Sequence, residues 1–293
     1  MRLFPWLSLS LVLISVSASS RAADPVKITQ DVVYTKIGDQ ELKLDLAEPT
    51  EGSGPFPAIV VIHGGGWRAG NKKDVRGVLT ECAKRGYVAI SPQYRFCPKD
   101  PFPAQVYDVK AAVRWLRTNA KDHKIDADHI GATGFSAGGH LSLMLGVTEP
   151  KDGLEGDVSA NAPSSRVQAV VNYFGPTDLT AVDIPEVDKP MLHDLFGGNL
   201  GDKAQESRKA SPLTFITKDD PPILTYQGTK DPLVPYTQAI KLVEAQTAFG
   251  VPGRVELLAG ASHGWGGDDM ARTLEGTFAF FDKHLKPKRA EGK

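Results

Sequence analysis

Cysteine is nearly absent from this 293-residue chain: only Cys82 and Cys97 occur, so at most one bridge could form. Sequence supplies no Cα separation for the pair, and two separate buried thiols are the simpler reading. Charge of one sign is lacking as well. With 34 Lys+Arg against 35 Asp+Glu, a formal net charge of -1 and no basic run, the chain offers little to the dense negative charge of nucleic acid, which is not expected as a partner. No His-Glu-x-x-His or Cys-x-x-Cys spacing supplies a zinc site. No Gly-x-x-x-x-Gly-Lys-Ser/Thr or Gly-x-Gly-x-x-Gly supplies a phosphate cradle, so no metal or other cofactor is expected. Asn-x-Ser/Thr glycosylation acceptors are missing, which suits a bacterial exported protein. So are internal repeats, low-complexity tracts and linkers, which argues for one domain.

What is present begins with a run that departs from the average. Arg2 precedes an uncharged, apolar-and-serine stretch from Leu3 to Val16, and small residues follow to Arg21-Ala22-Ala23. This is the layout of a secretory signal peptide, with cleavage expected after Ala22, within about three residues. About fourteen helical residues span roughly 21 Å, short of the roughly 30 Å hydrocarbon core, so no stable membrane span is expected in the mature form. Losing Arg2 and Arg21 moves the formal charge from -1 to -3 and leaves residues 23–293 as a secreted or periplasmic domain.

Beyond residue 31, short β-rich runs alternate with helical patterns. Val32 to Tyr34 and Leu42 to Leu46 alternate apolar with polar around Gly38-Asp39, which predicts an antiparallel hairpin. Later runs at 57–62, 87–90, 129–134, 167–171, 222–226 and 255–258 are mostly continuous in apolar residues, as in strands buried on both faces of a parallel sheet. Helical patterns cover 73–85, 104–120, 137–147, 235–249 and 268–285. The clearest places Val106, Val109, Ala112, Val113 and Leu116 at helical spacings. The alternation predicts an α/β fold: an eight-stranded, mostly parallel, doubly wound sheet with helices on both faces. The stretch 175–221, with Pro176, Pro185, Pro190 and Pro212, reads as a lid-like insertion beside the strand-to-helix loops.

Gly134-Phe135-Ser136-Ala137-Gly138 follows the fifth run and opens a helical pattern, the context of a Gly-x-Ser-x-Gly nucleophile elbow. A Cβ at 134 or 138 would collide with the neighbouring strand or helix. His63-Gly64-Gly65-Gly66-Trp67 follows the third run, where an oxyanion hole is expected from the N–H groups of Ala137 and of Gly65 or Gly66. The acid and the histidine of a triad should follow in that order. Asp231 and His263 each come just after a strand, at the rim where open α/β sheets place ligands. Asp178, Asp194, Asp202, Asp268 and Asp269 lack that placement and read as helix caps. His123, His129, His140, His193 and His284 read as surface or helix residues, and His63 as orienting its own loop. Trp67 and Trp265 read either as an aromatic, substrate-binding wall or as packing beneath the loops.

These motifs resemble the α/β-hydrolase family, within it the hormone-sensitive-lipase-like esterases marked by His-Gly-Gly-Gly. The closer likeness is to the BD-FAE-like branch, which includes bacterial acetylxylan and feruloyl esterases. It runs from 31 to 285 and rests also on Tyr94-Arg95, Pro98, Pro101 to Gln105, Asp108, Ser211-Pro212 and Asp231 to Pro235. Cys97 departs from the more usual Ala or Ser, and the few residues before the first strand leave no room for an N-terminal helical cap. The expected activity is that of a serine carboxylesterase: Ser136 attacks the ester, His263 takes its proton, Asp231 holds the imidazole, and acyl-Ser136 is then hydrolysed. The resemblance implies short-chain or aromatic acyl esters as substrates, among them acetyl or feruloyl groups on plant polysaccharide. Three alternatives stay open. An arylformamidase-like amide hydrolase shares His-Gly-Gly-x-Trp but is cytosolic; a prolyl-oligopeptidase-type peptidase normally brings a propeller; a non-catalytic binding module on a hydrolase fold is opposed by the intact Ser136, Asp231 and His263.

Overall fold

Along the strand β3 (Phe56–Ile62) the side chains alternate between two cores. Ala58, Val60 and Ile62 enter one, Ile59 and Val61 the other, and each is fully buried. A strand apolar on both sides is stable only inside a sheet covered on both faces. The computed structural model, which describes residues 25–180 and 184–286, has that architecture. The expected signal peptide at 1–22 lies outside the described residues.

The other strands are β1 (Val26–Ile37), β2 (Gln40–Pro49), β4 (Val88–Pro92), β5 (Ile125–Phe135), β6 (Ala169–Tyr173), β7 (Ile223–Gly228) and β8 (Gly253–Leu258). One eight-stranded sheet results, in the order β1-β2-β4-β3-β5-β6-β7-β8. β1 and β2 form the expected hairpin and β2 also pairs antiparallel with β4, while the remaining pairings are parallel. The helices are α1 (Arg76–Lys84), α2 (Ala104–Thr118), α3 (Ala137–Val147), α4 (Lys189–Phe196), α5 (Ala204–Lys209), α6 (Tyr236–Phe249) and α7 (Gly267–Leu285). No described helix is long and apolar enough to cross a membrane.

Helices α2 and α3 cover one face, and α1 and α7 the other. Val106, Val109, Ala112, Val113 and Leu116 of α2 are all fully buried, as their spacing predicts. The pattern at 73–85 divides into a 3₁₀ turn, Lys72–Val75, and α1. The reason is local: the Asn71 side chain accepts from Lys73 N–H while Asp74 accepts from Asn71 N–H, closing a separate capped turn. Cys82 belongs to the core under α1 and Cys97 to the core on the opposite face, and both are free thiols.

The stretch 175–221 connects β6 to β7 and contains α4, α5 and short 3₁₀ turns. It is packed rather than draped. Leu192, Leu195 and Phe196 are buried, Phe102 N–H donates to Leu195 O at 2.8 Å, and Leu179 N–H donates to Ser211 Oγ at 2.8 Å.

Helix α3 starts so close to the strand ends that a Cβ on Gly138 would lie 2.1 Å from Ile62 O, and one on Gly134 2.4 Å from the Gly138 backbone. Backbone cannot rotate away as a side chain can. Gly138→Ala should therefore destabilise the protein by about 2–3 kcal/mol in urea unfolding, as overpacking does. Gly77→Ala in α1, where nothing lies within 4 Å of the added carbon, should instead stabilise it by about 0.5 kcal/mol.

Candidate active site

Ser136 occupies the turn between β5 and α3 with φ 55° and ψ -120°. A non-glycine residue there stores about 1–3 kcal/mol of backbone strain and persists only where its surroundings over-determine it. Ser136 N–H donates to Tyr173 O at 2.9 Å, and its own carbonyl accepts from His140 N–H at 3.0 Å. The strained turn is thus pinned to the next strand and to the first turn of α3.

His263, in the loop after β8, lies with Nε2 2.9 Å from Ser136 Oγ and Nδ1 2.8 Å from Asp231 Oδ2. Asp231, in the loop after β7, accepts further bonds: Gln227 Nε2 at 2.9 Å on Oδ2, and the N–H groups of Leu233 and Val234, both at 2.9 Å, on Oδ1. Burial alone would raise its pKa, but the His263 hydrogen bond, the Val234 and Leu233 N–H groups and the imidazole charge prevail and hold it below the usual carboxylate range. An ionised Asp231 can only accept. Nδ1 of His263 therefore carries the ring proton, and Nε2 faces the Ser136 hydroxyl as an acceptor.

The Gly-rich loop after β3 is held from behind. His63 is 1% exposed, bonds Gly64 O through Nδ1 at 2.7 Å and stacks on Tyr94 at 4.5 Å. Tyr94 OH donates to the carbonyls of both His63 and Gly64, and Arg95 grips Asp108 of α2 through Nε and Nη2. Tyr94 thus holds this loop directly, the Arg95–Asp108 pair ties the segment that carries Tyr94 to α2, and His63 bonds and stacks within the loop. Gly65 and Gly66 adopt φ of 112° and 59°. Among the described residues, the N–H groups of Gly65, Gly66 and Ala137 have no acceptor; that of Ala137 is one of the orphan donors of a first helical turn.

Trp67 and Trp265 have different surroundings. Trp67 is 1% exposed, lines the cavity beside Ser136 and donates through Nε1 to His140 Nδ1 at 3.2 Å. Trp265 packs against Phe174 at 5.2 Å and bonds Thr273; it stands behind the cavity wall, and Phe174 lines that wall and meets the His263 ring edge-on at 4.8 Å. His140, read from sequence as a surface or helix residue, is a fully enclosed residue of α3. Its Nε2 donates to Ala210 O at 2.7 Å and burial lowers its pKa to about 4, so a neutral imidazole joins the Gly-rich loop, the elbow helix and the insertion. Among the other acids, Asp178 bonds Thr180 and pairs with Lys241, and Asp194 pairs with Arg68.

The cavity beside Ser136 measures about 290 Å³. Leu179, Ile184, Met191, Leu192, Leu233 and Val234 supply most of its apolar lining, and Met191 Sδ would lie 2.4 Å from a Cβ on Gly66. Two polar residues on its wall were not singled out by the sequence: Asp188 and Gln238. Asp188 is one acid among several in Glu186-Val187-Asp188-Lys189, and Gln238 one polar residue on α6, so no spacing marks either as facing inward.

The sheet order and the elbow define an α/β-hydrolase fold. The chain belongs to the BD-FAE family, whose model matches residues 44–245. It is 33% identical over 226 residues to the Esterase LipC of Mycobacterium tuberculosis, covering 75% of this chain and 55% of that one. The chain spans about half the length of the curated relatives it matches. Among solved structures, a truncated carbohydrate esterase from gut microbiota superposes with a TM-score of 0.79 at 28% identity, covering 91% of this chain and 99% of that one. The propionate-bound thermophilic esterase Est2 of Thermogutta terrifontis gives 0.75 at 26%, covering 90% and 97%.

Asp188 is 6% exposed, and burial raises its pKa to about 6, with the His263 charge opposing and Asp231 adding to the shift. Between the usual value of 3.8 and about 6 the folded chain binds more protons than the unfolded one, so this carboxyl lowers stability as pH rises through that window. Asp188→Asn should raise stability by on the order of 1–3 kcal/mol above pH 6, and the gain should vanish below about pH 4. Urea midpoints of both proteins at the two pH values check this; an equal gain at both would refute it.

Proposed function

We propose that the chain is an exported serine carboxylesterase that hydrolyses short acyl or small aromatic esters through an acyl-Ser136 intermediate. The observation that carries this reading is the continuous relay from Ser136 Oγ to His263 Nε2 and from Nδ1 to Asp231. In the first half-reaction Ser136 Oγ bonds to the ester carbonyl carbon while its proton passes to His263 Nε2, and Asp231 stabilises the imidazolium that forms. The carbonyl oxygen becomes an oxyanion, for which the N–H groups of Ala137 and of Gly65 or Gly66 are the available donors, each worth about 2.7–4 kcal/mol in such sites. Collapse breaks the bond to the alcohol, which leaves with the proton from His263. Water, deprotonated by the same imidazole, then attacks acyl-Ser136 and frees the acid.

The small, mostly apolar cavity supports a short acyl chain or a single ring over a long fatty chain. Acetyl or feruloyl groups on plant polysaccharide fit that size, and the gut-microbiota neighbour is described as a carbohydrate esterase. Export rests on Arg2, the uncharged run from Leu3 to Val16 and the small residues to Ala22.

Ser136→Ala should lower p-nitrophenyl acetate turnover at least about a thousandfold, and turnover within tenfold of the parent would exclude Ser136 as nucleophile. Asp231→Asn is the more pointed change. Leu233 and Val234 N–H would hold the amide oxygen in place, turning its NH₂ toward His263 Nδ1 and forcing the ring proton onto Nε2. A loss of about 10³–10⁴ in kcat with little change in KM is expected. Across p-nitrophenyl esters from C2 to C12, kcat/KM should fall beyond about C6; equal turnover from C2 through C12 would contradict the short-acyl reading.

A further inference from the structure

Asp188 and Gln238 share the cavity with the Ser136 relay but take no part in it. Asp188 ends the 3₁₀ turn Glu186–Asp188 at the start of α4, yet its side chain caps nothing, and among the described residues it has no hydrogen-bond or ion-pair partner. It is nonetheless more than nine-tenths buried. Gln238 is 2% exposed, and its orientation is set by its oxygen, which accepts the N–H groups of Thr177 at 2.8 Å and Asp178 at 3.1 Å. The Nε2 end is left with two donors and, among the described residues, no acceptor.

An acceptor and a donor, both set in a mostly apolar cavity wall and both unpartnered among the described residues, favour a ligand group that answers each. An ammonium would satisfy Asp188 only. A carboxylate would satisfy Gln238 only and be repelled by Asp188, and an alkyl group would satisfy neither. A hydroxyl donates to the carboxylate and accepts from the amide. We propose that Asp188 and Gln238 form a hydroxyl-recognition subsite that selects esters bearing a free hydroxyl on the acyl or alcohol part. The subsite rests on the esterase reading above and names its substrate class: esters of hydroxylated compounds rather than of plain hydrocarbons. It also assigns a use to a carboxyl that contributes no bond to the fold.

The test compares matched esters on the full chain at about pH 7.5. Propane-1,3-diol monoacetate against propyl acetate varies a hydroxyl on the alcohol side; methyl 3-(4-hydroxyphenyl)propanoate against methyl 3-phenylpropanoate varies one on the acyl side. In at least one pair the hydroxylated ester should be favoured in kcat/KM by about tenfold, chiefly through KM, the order a hydrogen bond to a charged group supplies. The pair that responds identifies the side. Asp188→Leu should bring that ratio to within about twofold, and the near-isosteric Asp188→Asn should retain part of it, because the amide oxygen still accepts. Asp188→Asn also keeps the test readable if the leucine variant fails to fold. Ratios within twofold in both pairs for the parent, or ratios that neither variant changes, overturn the proposal. So does a preference for acetylcholine over 3,3-dimethylbutyl acetate that Asp188→Asn abolishes, which would make the site one for cations. A parent that cleaves all four esters without preference removes the subsite alone; one inactive on these and on p-nitrophenyl acetate removes the esterase reading with it.

Discussion

The approach of α3 to the carbonyl end of β3 is the constraint on which the rest of the site depends. At 134 and 138 there is no space for a side chain, and the chain must turn from strand to helix within the residues between them. Ser136 is the residue driven into the left-handed region by that turn, and its hydroxyl is thereby presented above the sheet. The Gly-rich loop shares the constraint: a Cβ on Gly64 would lie 2.9 Å from Phe135 O. Elbow and loop touch through backbone, so the proposed nucleophile and the donors beside it are placed by one packing contact rather than by two separate adjustments.

Two carboxylates in this small site are held in opposite regimes. Asp231 accepts from His263, Gln227 and two backbone N–H groups, and stays ionised at the cost of deep desolvation that those donors offset. Asp188 has no such donors, and burial raises its pKa to about 6. The difference is one of hydrogen-bond supply more than of depth, and it separates a fixed charge that orients an imidazole from a carboxyl whose protons and lone pairs remain available.

Much of the architecture was legible in the sequence because burial on two faces leaves a one-dimensional trace. The run Ala58 to Ile62 is apolar throughout since each alternate residue meets a different core, and α2 shows its buried stripe at helical spacing. Ser136, Asp231 and His263 were legible for a related reason: each comes within about five residues of a strand end, so chain position already puts them at one rim. Asp188 was not, because its inward placement depends on the irregular path of 175–221, where neither period applies. His140, read as a surface or helix residue, lies on a helix but is enclosed, for the opposite cause. Helix α3 is buried all round, so His140 has no wet face to occupy and is enclosed with partners from distant segments. The two readings offered for the tryptophans diverged on the fold itself, since Phe174 occupies the wall in front of Trp265.

The cavity is lined by stretches of different origin. The relay and the Gly-rich loop belong to the sheet, whereas Ile184, Asp188, Met191 and Leu192 come from the insertion between β6 and β7. On the proposed reading, the reacting groups and much of the surface that meets the substrate are therefore written in separate stretches of the gene. Substitutions in that one excursion would reshape what the cavity admits while the relay stays intact, provided that Ala210 and Met191 keep their footholds against His140 and Gly66.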